Sequence, residues 1–202
     1  GVHIPTETKV DNLHNKLQNE YCNMIRDQYG SFTPMSKYED ATMLIDDVRN
    51  QKVAIGVLAM PKQEEQNAWW PLLASRATDT PRIINRLPFI GASQDYTTNI
   101  DALVICPVQS EPTGRDHTFL IIETVEETSL KKISSALKYA GIAQVFTVDW
   151  RMSDPNQRYL YLVEAIGFIK NDDNKVLRLG EFLGENKLSI WTIGTYGQPL
   201  AL

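Results

Sequence analysis

The pattern that most restricts this fold lies between residues 118 and 196, where six stretches of clear periodicity follow one another. Residues 118–124 are bulky and β-branched, as a strand requires. Residues 129–140 carry Leu130, Ile133 and Leu137 at helical spacing, and Gly141 supplies a left-handed stop. Residues 144–151 alternate, with Val145, Thr147 and Asp149 on one face and Phe146, Val148 and Trp150 on the other. The cluster Ser153-Asp154-Pro155-Asn156 reads as a turn, and residues 158–169 as a second strand bent at Gly167. Asp173 is placed to cap a helix carrying Val176, Leu179, Gly180 and Leu183, which stops at Gly184. Residues 188–196 read as a last strand. The order strand-helix-strand-strand-helix-strand is that of the ferredoxin-like split unit, in which both helices cover one face of a four-stranded antiparallel sheet.

The first half alternates helix and strand. Leu13, Leu17, Tyr21 and Ile25 recur at helical spacing over residues 11–29, with Met24 alongside, and Gly30 ends that helix. Residues 31–35 suit a short strand. Ser36-Lys37-Tyr38-Glu39 has the form of a capping box opening a helix with Ala41, Leu44, Ile45 and Val48 on one face. The apolar run at residues 53–59 predicts a strand covered on both faces in a parallel sheet. Residues 67–75 predict a short helix, and residues 82–90 and 102–107 two more strands. Pro107, Pro112 and Gly114, set among Ser, Glu, Thr and Arg, mark residues 109–116 as a linker. The division expected is an α/β lobe at residues 1–110 and an α+β domain at residues 116–202.

Composition excludes several classes. Apolar residues make up 43% and charged residues 22%, as in ordinary globular chains. The longest apolar runs, at residues 53–61 and 159–163, fall far short of the ~20 residues that a membrane helix needs. With 20 basic against 25 acidic side chains, the balance argues against a nucleic-acid partner. Cys22 and Cys106 lack a CxxC partner, which favours reduced thiols and a reducing, cytoplasmic setting over a disulfide. Residues 1–5 lack the basic and apolar regions of a secretory signal.

The chemistry on view is sparse. His3, His14 and His117 are isolated, so no metal site is expected. No GxSxG, GxxxxGK[ST] or GxGxxG occurs, and no cofactor is expected. Trp69-Trp70 reads either as a core anchor with a lid over the sheet or as an aromatic wall for a ring-bearing ligand. Arg86, at a strand end, suits either a bidentate carboxylate pair or a surface ion pair; with Thr33 and Ser36 it would line an anion pocket. Glu127, Thr128 and Ser129 precede a helix whose first N–H groups can receive a carboxylate, although the acids Glu126 and Glu127 oppose an anion there.

Residues 117–197 resemble an ACT domain, the small amino-acid-sensing module. Ahead of them, Gly56-Val57-Leu58-Ala59-Met60-Pro61, Arg86-Leu87-Pro88-Phe89 and Asp101-Ala102-Leu103-Val104-Ile105 follow in an order similar to a lobe of prephenate dehydratase. Tyr29-Gly30-Ser31-Phe32-Thr33-Pro34-Met35, Trp69-Trp70 and Thr113-Gly114-Arg115-Asp116 resemble stretches of prephenate-dehydratase-like regions in bacterial proteins of the chorismate mutase type. The resemblance implies a periplasmic-binding-protein-type α/β lobe followed by an ACT-like domain, a role in phenylalanine biosynthesis, an aromatic amino acid or prephenate-like ligand, and a homodimer through the ACT-like part.

The chain also departs from that family. The catalytic Thr-Arg-Phe triplet is matched only by Asn85-Arg86-Leu87-Pro88-Phe89, which lacks the Thr. The Gly-Ala-Leu loop and Glu-Ser-Arg-Pro strand that bind phenylalanine are replaced by Glu126-Glu127-Thr128-Ser129 and Val148-Asp149-Trp150-Arg151. A chorismate mutase domain would lie upstream of Gly1. The resemblance therefore implies a regulatory or assembly portion, non-catalytic by itself. An active dehydratase forming phenylpyruvate and an aromatic amino-acid sensor are the alternatives.

Overall fold

A computed structural model describes residues 1–3, 11–65, 67–75, 77–89, 100–151 and 158–199, with only the backbone for residues 11–17. The expected turn at residues 153–156, the strand end at Ile90 and the side chains of Leu13 and Leu17 lie outside the described residues. The elements run β1 (Val2–His3), α1 (Asp11–Tyr29), β2 (Lys37–Tyr38), α2 (Ala41–Arg49), β3 (Gly56–Ala59), β4 (Arg82–Leu87), β5 (Ala102–Cys106), β6 (Asp116–Thr124), α3 (Leu130–Ala140), β7 (Gln144–Arg151), β8 (Tyr159–Ile166), α4 (Asn174–Leu183) and β9 (Lys187–Gly197).

The nine strands of the described residues belong to one sheet, in the order β2-β1-β3-β5-β4-β9-β6-β8-β7. In the C-terminal half β6 pairs antiparallel with both β8 and β9, and β7 pairs antiparallel with β8. Period-two alternation divides the side chains of these strands between two cores. Leu120 and Ile122 of β6, with Tyr161 and Val163 of β8, pack against Ile133, Ala136 and Leu137 of α3 and Val176, Leu179 and Leu183 of α4. Both helices therefore cover the same face. Phe119, Ile121, Leu160 and Leu162 point the other way, into a core shared with Leu44, Ile45 and Val48 of α2 and with Leu58, Ile83 and Leu103. The N-terminal sheet is covered in turn by α1, whose Tyr21, Met24 and Ile25 pack on Val57, Ala102 and Val104. β3 and β5 thus contribute apolar side chains to the cores on both faces, which explains their unbroken hydrophobic runs.

Several local expectations are corrected. Residues 36–39 form no capping box. Val2 N–H donates to the Ser36 carbonyl at 2.9 Å, and Lys37 and Tyr38 pair with β1, so this stretch is already committed to the sheet. The α2 cap is Asp40, whose Oδ1 accepts from Thr42 N–H at 2.7 Å. Residues 31–35 hold no strand. The run at residues 53–59 is a strand only from Gly56, and it pairs parallel with β1 but antiparallel with β5, so this half is mixed rather than parallel. Residues 67–75 form only a 3₁₀ turn at Trp70–Leu73, with Pro71 in its first turn. The bend at Gly167 falls just past the end of β8, where its φ is +104°.

The α3 and α4 boundaries follow the sequence signals. Ser129 Oγ accepts from Lys132 N–H at 3.3 Å, Gly141 is left-handed at φ +73°, and Asp173 Oδ1 accepts from Lys175 N–H at 2.8 Å.

Candidate functional site

Two polar constellations stand out against these cores. The first lies at one end of the C-terminal sheet. The register sets Thr124 opposite Tyr159, Asp149 opposite Tyr161 and Arg151 opposite Tyr159, so the loop after β6, the end of β7 and the start of β8 converge. Between them is a cavity of about 260 Å³ lined by Glu127, Thr128 and Ser129 on one side and Asp149, Arg151 and Tyr159 on the other. Thr128 N–H donates to the Tyr161 hydroxyl at 2.6 Å, and the Thr128 hydroxyl accepts from Asn186 Nδ2 at 2.7 Å, which holds the loop on the sheet. Burial raises the pKa of the Tyr161 phenol, partly offset by its bonds to Thr128 and Thr124. Arg151 bridges to Glu127 at 2.7 Å and lies over the Tyr159 ring at 5.1 Å. Both members of that ion pair are mostly exposed, so a ligand can exchange with it at small cost. A cation, two carboxylates and aromatic rings around a small space suit recognition of a zwitterion with an apolar body.

The second constellation lies where the two halves of the sheet face each other. Glu164, only 1% exposed, accepts from Tyr196 Oη, lies 2.7 Å from His117 Nδ1, and pairs with Arg86 Nη1 at 3.5 Å. Arg86 Nη2 also reaches Asp101 at 2.9 Å. Burial lowers the guanidinium's pKa, but its bonds to Tyr196 and Asp101 outweigh that effect and hold it above the ordinary value. The Tyr196 phenol is raised by burial and by the charge of Glu164. Arg86 is thus already matched by carboxylates of its own chain. Residues 117, 119 and 121 share a strand face, as do 160, 162 and 164, so simple alternation aims His117 and Glu164 at the N-terminal half.

Of the residues singled out from sequence, the structure brings Glu127, Thr128 and Ser129 together in the first cavity. It does not bring Thr33 and Ser36 to Arg86. Ser36 directly precedes β2 at the sheet edge, four strand spacings from β4, or about 19 Å. The Thr33 hydroxyl donates to the Tyr29 carbonyl at 2.6 Å. Trp69 and Trp70 form no open wall, being 2% and 1% exposed. Trp69 Nε1–H donates to the Ala59 carbonyl at 2.9 Å, and Trp70 meets Trp150 edge-on at 6.4 Å, so both indoles fill the core between the halves. Sequence reasoning missed Glu164, His117 and Tyr196. The available signal was a lone carboxylate inside the apolar run of β8, a position at which a charge must find a partner. Among the described residues no cluster of His, Cys, Asp and Glu could hold a metal, both thiols are free and buried, and no helix is long and apolar enough to cross a membrane.

No protein-family model matches the sequence, and no curated protein matches it. Solved structures do match over nearly the whole chain. A prephenate dehydratase of Arthrobacter aurescens, solved in complex with L-Phe, aligns with a TM-score of 0.62 at 10% identity, covering 98% of this chain and 90% of the other. The prephenate dehydratase of Staphylococcus aureus aligns with a TM-score of 0.60 at 12% identity, covering 97% and 99%. GqqA, described as a novel type of quorum-quenching acylase, aligns with a TM-score of 0.62 at 11% identity, covering 97% and 93%. The chain therefore has a prephenate-dehydratase-like fold.

Proposed function

We propose that this chain is a regulatory or assembly portion of a protein of phenylalanine biosynthesis, of the chorismate mutase/prephenate dehydratase type. In this reading residues 1–110 form a dehydratase-like lobe, and residues 116–202 form a ferredoxin-like, ACT-type module that binds an aromatic amino acid. The observation that carries the reading is the cavity uniting Glu127, Thr128 and Ser129 with Asp149 and Arg151. These are the two stretches that stand where the family resemblance puts its amino-acid-binding loop and strand. Arg151 would meet the ligand carboxylate, Asp149 or Glu127 its ammonium group, and Tyr159 its ring. The non-catalytic part of the reading rests on Arg86, which is occupied by Asp101 and Glu164, and on the missing Thr of the triplet. β7 is the last strand in the sheet order of the described residues, and a second copy pairing along it would give a homodimer.

The test is incubation with prephenate while following phenylpyruvate absorbance. The reading predicts no turnover above the uncatalysed rate, together with a rise in thermal midpoint on adding phenylalanine, tyrosine or tryptophan. Robust turnover abolished by Arg86→Ala without unfolding establishes the dehydratase instead.

A further inference from the structure

Within the sheet the two halves meet along β4 and β9. β4 and β9 share a single register pair, Ile83 with Gly194. Beside that joint lies a second cavity of about 260 Å³, lined by Arg82 of β4, Ser110 of the linker, Phe168, Lys170 and Asn171 of the loop after β8, and Thr192 of β9. It is therefore built from both halves and from the segment between them.

Among the described residues its charge is unbalanced. The partly buried Arg82 donates from Nη1 to the Thr192 carbonyl and from Nη2 to the Ser75 carbonyl, each at 3.2 Å. A guanidinium has five N–H donors, so among the described residues three are left without a partner. Among the described residues no carboxylate stands within 4.0 Å of Arg82, whereas Arg86 on the same strand has two. Burial depresses the Arg82 pKa, consistent with a cation lacking its counter-ion. Lys170, on the same wall, rests over the Phe168 ring at 5.9 Å and likewise forms no ion pair among the described residues. Asp172 is the one carboxylate among the lining residues, and it is exposed. A cation removed from water without a partner is costly, and an anion from solution would restore the balance. The volume lies just below the roughly 300–1,000 Å³ typical of sites for drug-sized ligands, so the occupant is small. Phe168 gives it an apolar wall.

We propose that this cavity is a binding site for a small carboxylate bearing a single ring, held by Arg82 and Lys170 against Phe168. The site is separate from the Arg151 cavity and does not depend on the function proposed for it. Because its walls come from both halves, an occupant would touch both beside the β4–β9 pairing.

Benzoate titrated into the full chain by calorimetry tests this. Saturable binding is expected, with a rise in thermal midpoint. Arg82→Gln should weaken binding about tenfold or more. That substitution also removes bonds joining Ser75 and Thr192, so Lys170→Gln, whose head group is exposed, serves as the second variant and should weaken binding about threefold with unchanged stability. Arg151→Gln should leave benzoate affinity unaltered, which separates this site from the other cavity. Absence of saturable binding up to about 10 mM benzoate, an affinity indifferent to both Arg82→Gln and Lys170→Gln, or inorganic phosphate binding as tightly as benzoate would each overturn the proposal.

Discussion

Replacing Glu164 probes the junction between the two halves. Its carboxylate is 1% exposed and serves three groups, His117 Nδ1 at 2.7 Å, the Tyr196 hydroxyl, and Arg86 Nη1 at 3.5 Å. Glu164→Gln keeps the shape but removes the charge, turning charge-assisted bonds into weaker neutral ones at a cost of about 2 kcal/mol. Glu164→Leu removes every acceptor and leaves a buried phenol, an imidazole and part of a guanidinium unmatched, at a cost of about 3–5 kcal/mol. For a chain of this length each kcal/mol lowers the melting temperature by roughly 2–4 °C, so Glu164→Leu should melt about 6–20 °C below the wild type. Urea unfolding followed by circular dichroism gives the free energies, and a double-mutant cycle with Tyr196→Phe should show a coupling of about 1–3 kcal/mol. If Glu164→Gln and Glu164→Leu both stay within about 0.5 kcal/mol of wild type, the cluster is not holding the halves together and the reasoning fails.

Other substitutions test other joints. Gly194 has φ +149°, and a Cβ there would lie 2.2 Å from the Ile83 carbonyl oxygen, so Gly194→Ala should destabilise by about 3 kcal/mol or more, measured by the urea midpoint. Asp40→Ala should cost about 1 kcal/mol through loss of the α2 cap, while Ser36→Ala should cost almost nothing. Tyr21 is pushed up to about 12 by burial and then by Asp101, so the folded state favours the neutral phenol. Its contribution is complete below pH 10, the unfolded value, and is lost as pH rises through about 12. An alkaline titration of ellipticity should show this limb, on the order of 3 kcal/mol, flattened in Tyr21→Phe.

The C-terminal half was largely legible because its signals are local. Ser129, Gly141 and Asp173 act within one turn of their own helices, and the alternation along β6 and β8 needs no knowledge of distant residues. The N-terminal half was harder because its strands are chosen by remote partners. Lys37 and Tyr38 are a strand only because Val2 and His3 lie alongside, and that pairing overrides the capping pattern in which they sit. The loop cavity could be anticipated from Glu127, Thr128 and Ser129, since a helix start is a local feature. Of the cluster around Glu164 only the lone carboxylate of β8 was legible, because Arg86, His117, Glu164 and Tyr196 come from four strands and meet only when the two halves pack. The Trp pair shows the same limit, since its burial depends on Trp150, eighty residues further along the chain.

Calorimetric titration of the full chain with phenylalanine, tyrosine and tryptophan bears most directly on the function proposed. The account predicts a saturable heat for at least one of them, with affinity reduced about tenfold or more in Arg151→Gln. No heat from any of the three at millimolar concentration, or binding that Arg151→Gln leaves intact, would contradict it.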